Sequence, residues 1–449
     1  MTSSNTVYRA TVALIWALAL WHSWVCRGLF VDGSAFLIQI VEREWFFDFY
    51  PPRLYAMIVA QIPVWTAILL GSTDLHLLAQ LLSMGLFGLP TALYHLALHR
   101  AKGDPVLLAA VIAAIGVVFL TTSFFIVGEY NSAYALVILV AVLLVTVDRP
   151  RWGNALLLTA VAALAMRTYE VMIYLGPLMA VMILATLYRV PVRPVVPTVL
   201  YILSAGFFLF GMFVAINSVV RPHSEEHLEE TYDTALNFWQ NMQFDLALGA
   251  AMVVVVWALV KPLDLLKVRP YRWAALCLGL LALSPLLAAT DTLIRPLAKS
   301  QYVARTVSGV VIAAIVVFIW VYASDAHRHF KALILLRTRE GARRFLAFAC
   351  LIPFAVVPSD ALLTVTWSSY LDVLRETVRS RSGEIAFEDT ALSQRPHILL
   401  VEHWALSSQS LAVRSKPGDG VVLPPRGFKD WVPFVPLEPP NMGRFVWRE

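Results

Sequence analysis

Apolar runs and short polar loops alternate along almost the whole chain of 449 residues. Eleven runs, at about 7–30, 75–98, 105–127, 131–147, 153–168, 171–188, 195–219, 242–260, 272–289, 306–323 and 344–365, are candidate spans. Each is near the roughly 20 residues that a helix needs to cross a bilayer. The loops around Arg100/Lys102, Arg149/Arg151, Arg189/Arg193, Lys261/Lys267/Arg269/Arg272 and from His327 to Arg344 are short and basic. The positive-inside rule puts such loops in the cytoplasm. All of them reach one side only if the apolar segment 53–70 does not cross, so it is expected to lie along the outer face as an interfacial helix. The N-terminus is then inside and the C-terminus outside.

The pattern changes after residue 365. SSYLDVLRETVRS reads as an amphipathic helix, IAFED and HILLVEHW as short strands, and the end is rich in proline and aromatics. The expected organisation is an all-α polytopic unit over 1–365, with 31–74 as its first outer loop, followed by a small mixed α/β domain over 366–449.

Composition excludes several classes. The chain is 59% hydrophobic and 14% charged, with a mean hydropathy of +0.71; soluble domains carry about 25% charged residues. The net charge of +5 arises in loops between spans and is no sign of a nucleic-acid partner. Cys26, Cys277 and Cys350 form no C-x-x-C and read as small buried hydrophobes. The N-terminal run lacks a cleavage-site pattern and is followed by further spans, so it reads as the first span.

One polar interruption stands out. Between Val31 and Gly71 the chain places Asp32, Glu42, Arg43, Glu44, Asp48 and Arg53 beside apolar segments. Charges at a membrane span are costly and tend to be functional. Asp32, followed by Gly33 and a run with apolar residues at helical spacing, has two readings: a general base at the start of a flat helix, or the N-cap of that helix. Glu129, in the tight VGEYN turn, is a second catalytic candidate or a solvated turn residue. In MRTYE, Glu170, Tyr169 and Arg167 are supporting or acceptor-binding candidates, with an Arg167–Glu170 pair along a helix as the alternative. The outer loop 289–306 carries Arg295, Lys299, Tyr302 and Arg305; its cations suit a phosphate at the membrane surface, or pair with the acidic loop 221–241. Arg53 is a further anion ligand or a snorkelling arginine.

Histidines give no metal set: His223 and His227 share helical spacing without HExxH, and the HRH at 327–329 suits lipid head groups. No GxSxG, Walker loop or GxGxxG is present.

An acidic residue after the first span, a large first outer loop whose second helix starts at YPPRLYAMIVAQIP and ends near Gly71, and an acidic residue in the next outer loop together resemble the GT-C superfamily of membrane glycosyltransferases. Some members carry paired acids where this chain has Asp-Gly. The resemblance implies transfer of a sugar from a polyprenyl-phosphate donor to a glycan, lipid or protein acceptor such as a pilin, with inversion. It implies Asp32 as base and Arg53, Arg295, Lys299 and Arg305 at the donor phosphate. A divalent ion, Mg or Mn, held by Asp32 and Glu129 would relieve their repulsion. The expected location is a bacterial inner membrane with the site facing the periplasm. A transporter or lipid flippase is the rival reading.

Overall fold

The apolar runs fold as helices, as they must where no water is present to satisfy the backbone. The computed structural model describes residues 4–48, 50–122, 128–147, 151–189, 194–221, 301–324, 331–426, 428 and 440–448. The elements are α1 (Ser4–Trp24), α2 (Asp32–Arg43), α3 (Leu54–Leu69), α4 (Leu75–Ala101), α5 (Pro105–Ala114), α6 (Glu129–Thr146), α7 (Trp152–Ala165), α8 (Met172–Arg189), α9 (Val195–Val220), α10 (Gln301–Ala323), α11 (Arg339–Ser380) and α12 (Leu406–Val413). Two short parallel strands, β1 (Glu384–Ala386) and β2 (Val421–Leu423), pair Glu384 with Val421 and Ala386 with Leu423.

Five of the described helices, α4, α6, α8, α9 and α11, are long and apolar enough to cross a membrane. By helix length and hydropathy this is a multi-pass membrane protein. The expected spans at 242–260 and 272–289 lie outside the described residues. Caps fix several helix starts: Asp74 accepts from His76 N, Asp104 from Val106 N and Leu107 N, and Thr338 from Gly341 N. The last expected span and the amphipathic segment after it merge into one 42-residue helix, α11, despite Pro353 and Pro358. HILLVEHW, expected as a strand, instead forms two 3-10 turns, His397–Leu400 and His403–Ala405.

One end of the bundle is basic. The Tyr8 hydroxyl lies 3.2 Å from His95 and 3.3 Å from His99, and Lys102 sits over the Tyr8 ring. Arg100 donates to Asn154 at 2.8 Å, Arg189 covers Trp320, Arg337 donates to Tyr322 O, and the Tyr322 hydroxyl donates to Asp104. The start of α1, the end of α4, the starts of α5 and α7, and the ends of α8 and α10 therefore share this level.

Helix α3 has both ends at the other end of the bundle. Tyr55 N donates to Arg167 O, just past α7, and the chain leaves α3 through Gly71 to Asp74, where α4 begins. Both ends of this apolar 16-residue helix therefore lie at one end of the bundle. At the same end the C-terminal residues return to the helices. Val446 N donates to Thr73 O, Leu75 N to Val446 O, and Trp447 stacks on His76 at 4.4 Å. All eight residues of α12 are buried, and this helix packs on α2, α4 and α11.

Candidate active site

Asp32 sits on a tightly held elbow between α1 and α2. The sequence suggests that Asp32–Gly33 supplies the turn; the structure puts the turn earlier. Helix α1 stops at Trp24, Cys26 takes a left-handed conformation, residues Arg27–Leu29 make a 3-10 turn, and Val31 has φ 52° and ψ −115°. Positive φ is costly for a β-branched residue and persists only where the surroundings enforce it. Gly33 is already inside α2, and its role is close approach: a Cβ there would overlap the Gly28 carbonyl oxygen. Gly28 in turn lies against Ser83, whose hydroxyl accepts from Gly28 N at 2.9 Å. Asp32 is the first residue of α2, and Val31 occupies the cap position.

The enforcing surroundings come from α11. Asp360, Thr364 and Trp367 lie on one face of that helix, at i, i+4 and i+7. Arg27 Nη1 donates to Asp360 Oδ1 at 3.0 Å and to Thr364 Oγ1 at 2.7 Å. Trp367 Nε1 donates to the Val25 and Cys26 carbonyls at 3.2 and 3.3 Å, the orphan acceptors left by the end of α1. His22 Nε2 lies 2.9 Å from Asp360 Oδ2. All four polar side chains, His22, Arg27, Asp360 and Thr364, are buried. Sequence reasoning missed this cluster. The available signal was the lone Asp360 inside an apolar run, since ionisable groups in a span are functional candidates by default.

A second group gathers Arg53, Glu129, Tyr169 and Glu170. Arg53 Nε donates to Glu170 Oε1 at 2.9 Å, and its guanidinium lies over the rings of Tyr50 at 5.1 Å and Tyr169 at 4.9 Å. Burial works against the Arg53 charge, but Glu170, Glu129 and Tyr169 outweigh it and hold the pKa above the ordinary arginine value. The Tyr50 hydroxyl is pushed up by burial and by Glu170. Glu170 therefore pairs with Arg53; Arg167 instead stands over the Tyr55 ring. Nor is Glu129 a solvated turn residue. Gly128, at φ 71°, turns the chain so that Glu129 opens α6 with 4% exposure, and its Oε2 meets no hydrogen-bond partner among the described residues.

Of the fifth-loop candidates, Arg295 and Lys299 lie outside the described residues, as do His223, His227 and the HRH at 327–329. Tyr302 and Arg305 occupy the first turns of α10. One turn beyond Arg305, Gly309 faces the Tyr134 and Tyr174 hydroxyls, on the second turn of α6 and the first turn of α8. Those turns follow directly on Glu129 and Glu170, so the start of α10 shares their end of the bundle.

Asp32 and the Arg53 group stand on different supports. Helix α2 is packed against α12 through Ser34 and Ser408, 2.8 Å apart, whereas Arg53 is held from the starts of α6 and α8. The segment between α2 and α3 links them: Gln61 of α3 accepts from Phe47 N at 2.8 Å and donates to Phe47 O at 2.9 Å. Among the described residues no group of three or more His, Cys, Asp or Glu could hold a metal ion. Arg53 is a cation near both Glu129 and Glu170.

Comparison with protein-family models, with curated proteins and with solved structures finds no match for the chain.

Proposed function

We propose that the protein is a membrane glycosyltransferase of GT-C type, moving a sugar from a polyprenyl-phosphate donor to an acceptor hydroxyl. The observation that carries this is the convergence of Arg53, Glu129 and Glu170, from three separate loops, at the end of the bundle away from the basic loops. Under the positive-inside rule that end is extracytoplasmic, which in a bacterial inner membrane is the periplasmic side. There the acceptor oxygen attacks the anomeric carbon as its proton passes to Asp32. The bond from that carbon to the phosphate oxygen breaks on the opposite face, so the centre inverts. The departing lipid phosphate is met by fixed cations. Arg53 is the described candidate; Arg295, Lys299 and Arg305 complete the expected set. Glu129, with an uncommitted oxygen, orients the acceptor.

The test is transfer of labelled sugar in proteoliposomes holding polyprenyl-phosphate sugars and the cell-envelope acceptor fraction. Asp32→Asn is expected to fold and retain donor while losing about 10²-fold or more in rate, the scale of general-base catalysis. Unchanged transfer removes Asp32 from the reaction.

A transporter or flippase draws support from a different observation, the buried His22–Arg27–Asp360 cluster, because transport pathways place ionisable groups inside the bundle. Movement of lipid-linked sugar across the bilayer without sugar transfer favours that reading.

A further inference from the structure

The basic end carries a groove that the proposed reaction does not use. It is a cavity of about 460 Å³ lined by Leu96, His99 and Arg100 of α4, Thr146 of α6 and Leu157 of α7. Its surroundings are of two kinds. Leu96 in its lining is an exposed apolar side chain, as are Trp152 and Leu156 on the helix that supplies Leu157, and Val196 on the first turn of α9, so this side of the helices is apolar enough to meet lipid. The described charged groups at this level are mostly cationic. Arg100 is held by Asn154 of α7 at 2.8 Å, Lys102 Nζ lies 3.5 Å from His99 Nδ1, Arg151 directly precedes α7, and His95 and His99 share the Tyr8 hydroxyl. The described acids here are Asp104, engaged by the Tyr322 hydroxyl and by two backbone amides of α5, and Glu340 at the start of α11, paired with Arg344. The Tyr201 side chain is wholly buried, its hydroxyl has no hydrogen-bond partner among the described residues, and it lies within the field of the Arg100 guanidinium. A buried hydroxyl left without a partner is costly.

We propose that this groove binds one anionic phospholipid, its phosphate held by Arg100 with His99 and Lys102, and its acyl chains lying on Leu96, Leu156 and Leu157. The chemistry selects a lipid over a soluble anion because the cations stand at the top of an apolar, membrane-facing channel. Basic pockets between membrane helices on the cytoplasmic side recognise lipid head groups on the same terms. The site is separate from the Arg53 group, at the opposite end of the bundle, and does not depend on the transferase reading.

The test uses the full-length protein, purified and delipidated in mild detergent. It is titrated with phosphatidylglycerol or with phosphatidylcholine of the same acyl chains, and bound lipid is counted by native mass spectrometry. Preferential retention of phosphatidylglycerol is expected, weakened about fivefold in Arg100→Gln, since one cation near an anionic head group contributes on this scale. Leu157→Trp fills the groove and leaves every charge in place, and it is expected to remove the preference. Should Arg100→Gln fail to fold, Leu157→Trp carries the test alone. Equal binding of the two lipids, a wild-type preference in Leu157→Trp, or displacement of the lipid by millimolar inorganic phosphate overturns the proposal.

Discussion

Arg27 and Asp360 are separated by 333 positions in sequence and by 3.0 Å in the fold, both side chains buried. The pair joins the 3-10 turn after α1 to the middle of α11, the helix that leads into the C-terminal lobe. It therefore ties the elbow carrying Asp32 to the helix that carries the C-terminal lobe. Dismantling a buried pair by removing one partner strands a charge, which costs about 3–5 kcal/mol. Asp360→Ala is expected to lower the unfolding midpoint steeply and to expose the buried Cys26 thiol, on the same elbow, to maleimide. Replacing both partners, Arg27→Met with Asp360→Leu, is expected to recover most of that stability. A single variant as stable as the parent would show that the pair holds nothing.

The Gly28–Gly33 contact makes a second test of the elbow. Gly33→Ala puts a methyl group into the Gly28 carbonyl oxygen, and neither backbone is free to move while Ser83 and Trp367 hold the turn. Overpacking of this kind costs about 1–3 kcal/mol. Loss of sugar transfer is expected to exceed the loss of folded protein, because Asp32 is next in sequence to the displaced residue. Thermal unfolding in detergent, measured alongside transfer, separates the two effects.

Arg53 is balanced by more than one acid. Glu170→Gln removes its direct partner but leaves Glu129 nearby, so the folded yield should change little. Arg53→Ala leaves two carboxylates without their cation and is expected to be the more damaging change, by about 1–3 kcal/mol for the unpaired groups. Glu129→Gln keeps the shape of the buried side chain. It is expected to fold normally and to slow transfer by about 10²-fold. A normal rate in Glu129→Gln would place the acceptor elsewhere.

His397, in the C-terminal lobe, gives a pH dependence of known sign. Burial holds its pKa below the ordinary histidine value, with a backbone contact to Ala391 opposing the shift, and Ser369 lies 3.1 Å from Nε2. The folded lobe thus prefers the neutral ring. Its contribution is present above the ordinary value and is lost as pH falls through the folded-state value, because the unfolded chain takes up the proton first. Limited proteolysis of the lobe should quicken on acidification, and the acid-dependent part should shrink in His397→Gln.

Much of the architecture was legible in the apolar pattern. The apolar runs 75–98, 153–168 and 171–188 reappear as helices α4, α7 and α8 within a few residues, α7 being shorter than the membrane-length helices, because a segment of that composition has little alternative to a helix in lipid. Two features escaped it. The 3-10 turns of HILLVEHW arise where the backbone packs against helices, His397–Leu400 on α11 and His403–Ala405 on α2 and α12, and neighbours of that kind are absent from local sequence. Glu170 has an arginine three residues away, yet pairs with one 117 residues away, because the end of α7 points Arg167 toward Tyr55.

By itself the sequence determined that this chain is a bundle of membrane-length helices with basic loops and with acids at helix ends, since hydropathy and charge act through local free energies of transfer. Which acids meet which cations was decided by tertiary structure alone. Asp360 finds Arg27, Glu170 finds Arg53, and Val31 is held in a conformation its side chain disfavours, because side-chain pairing in a bundle depends on helix rotation and crossing, and those are set by packing across the whole fold.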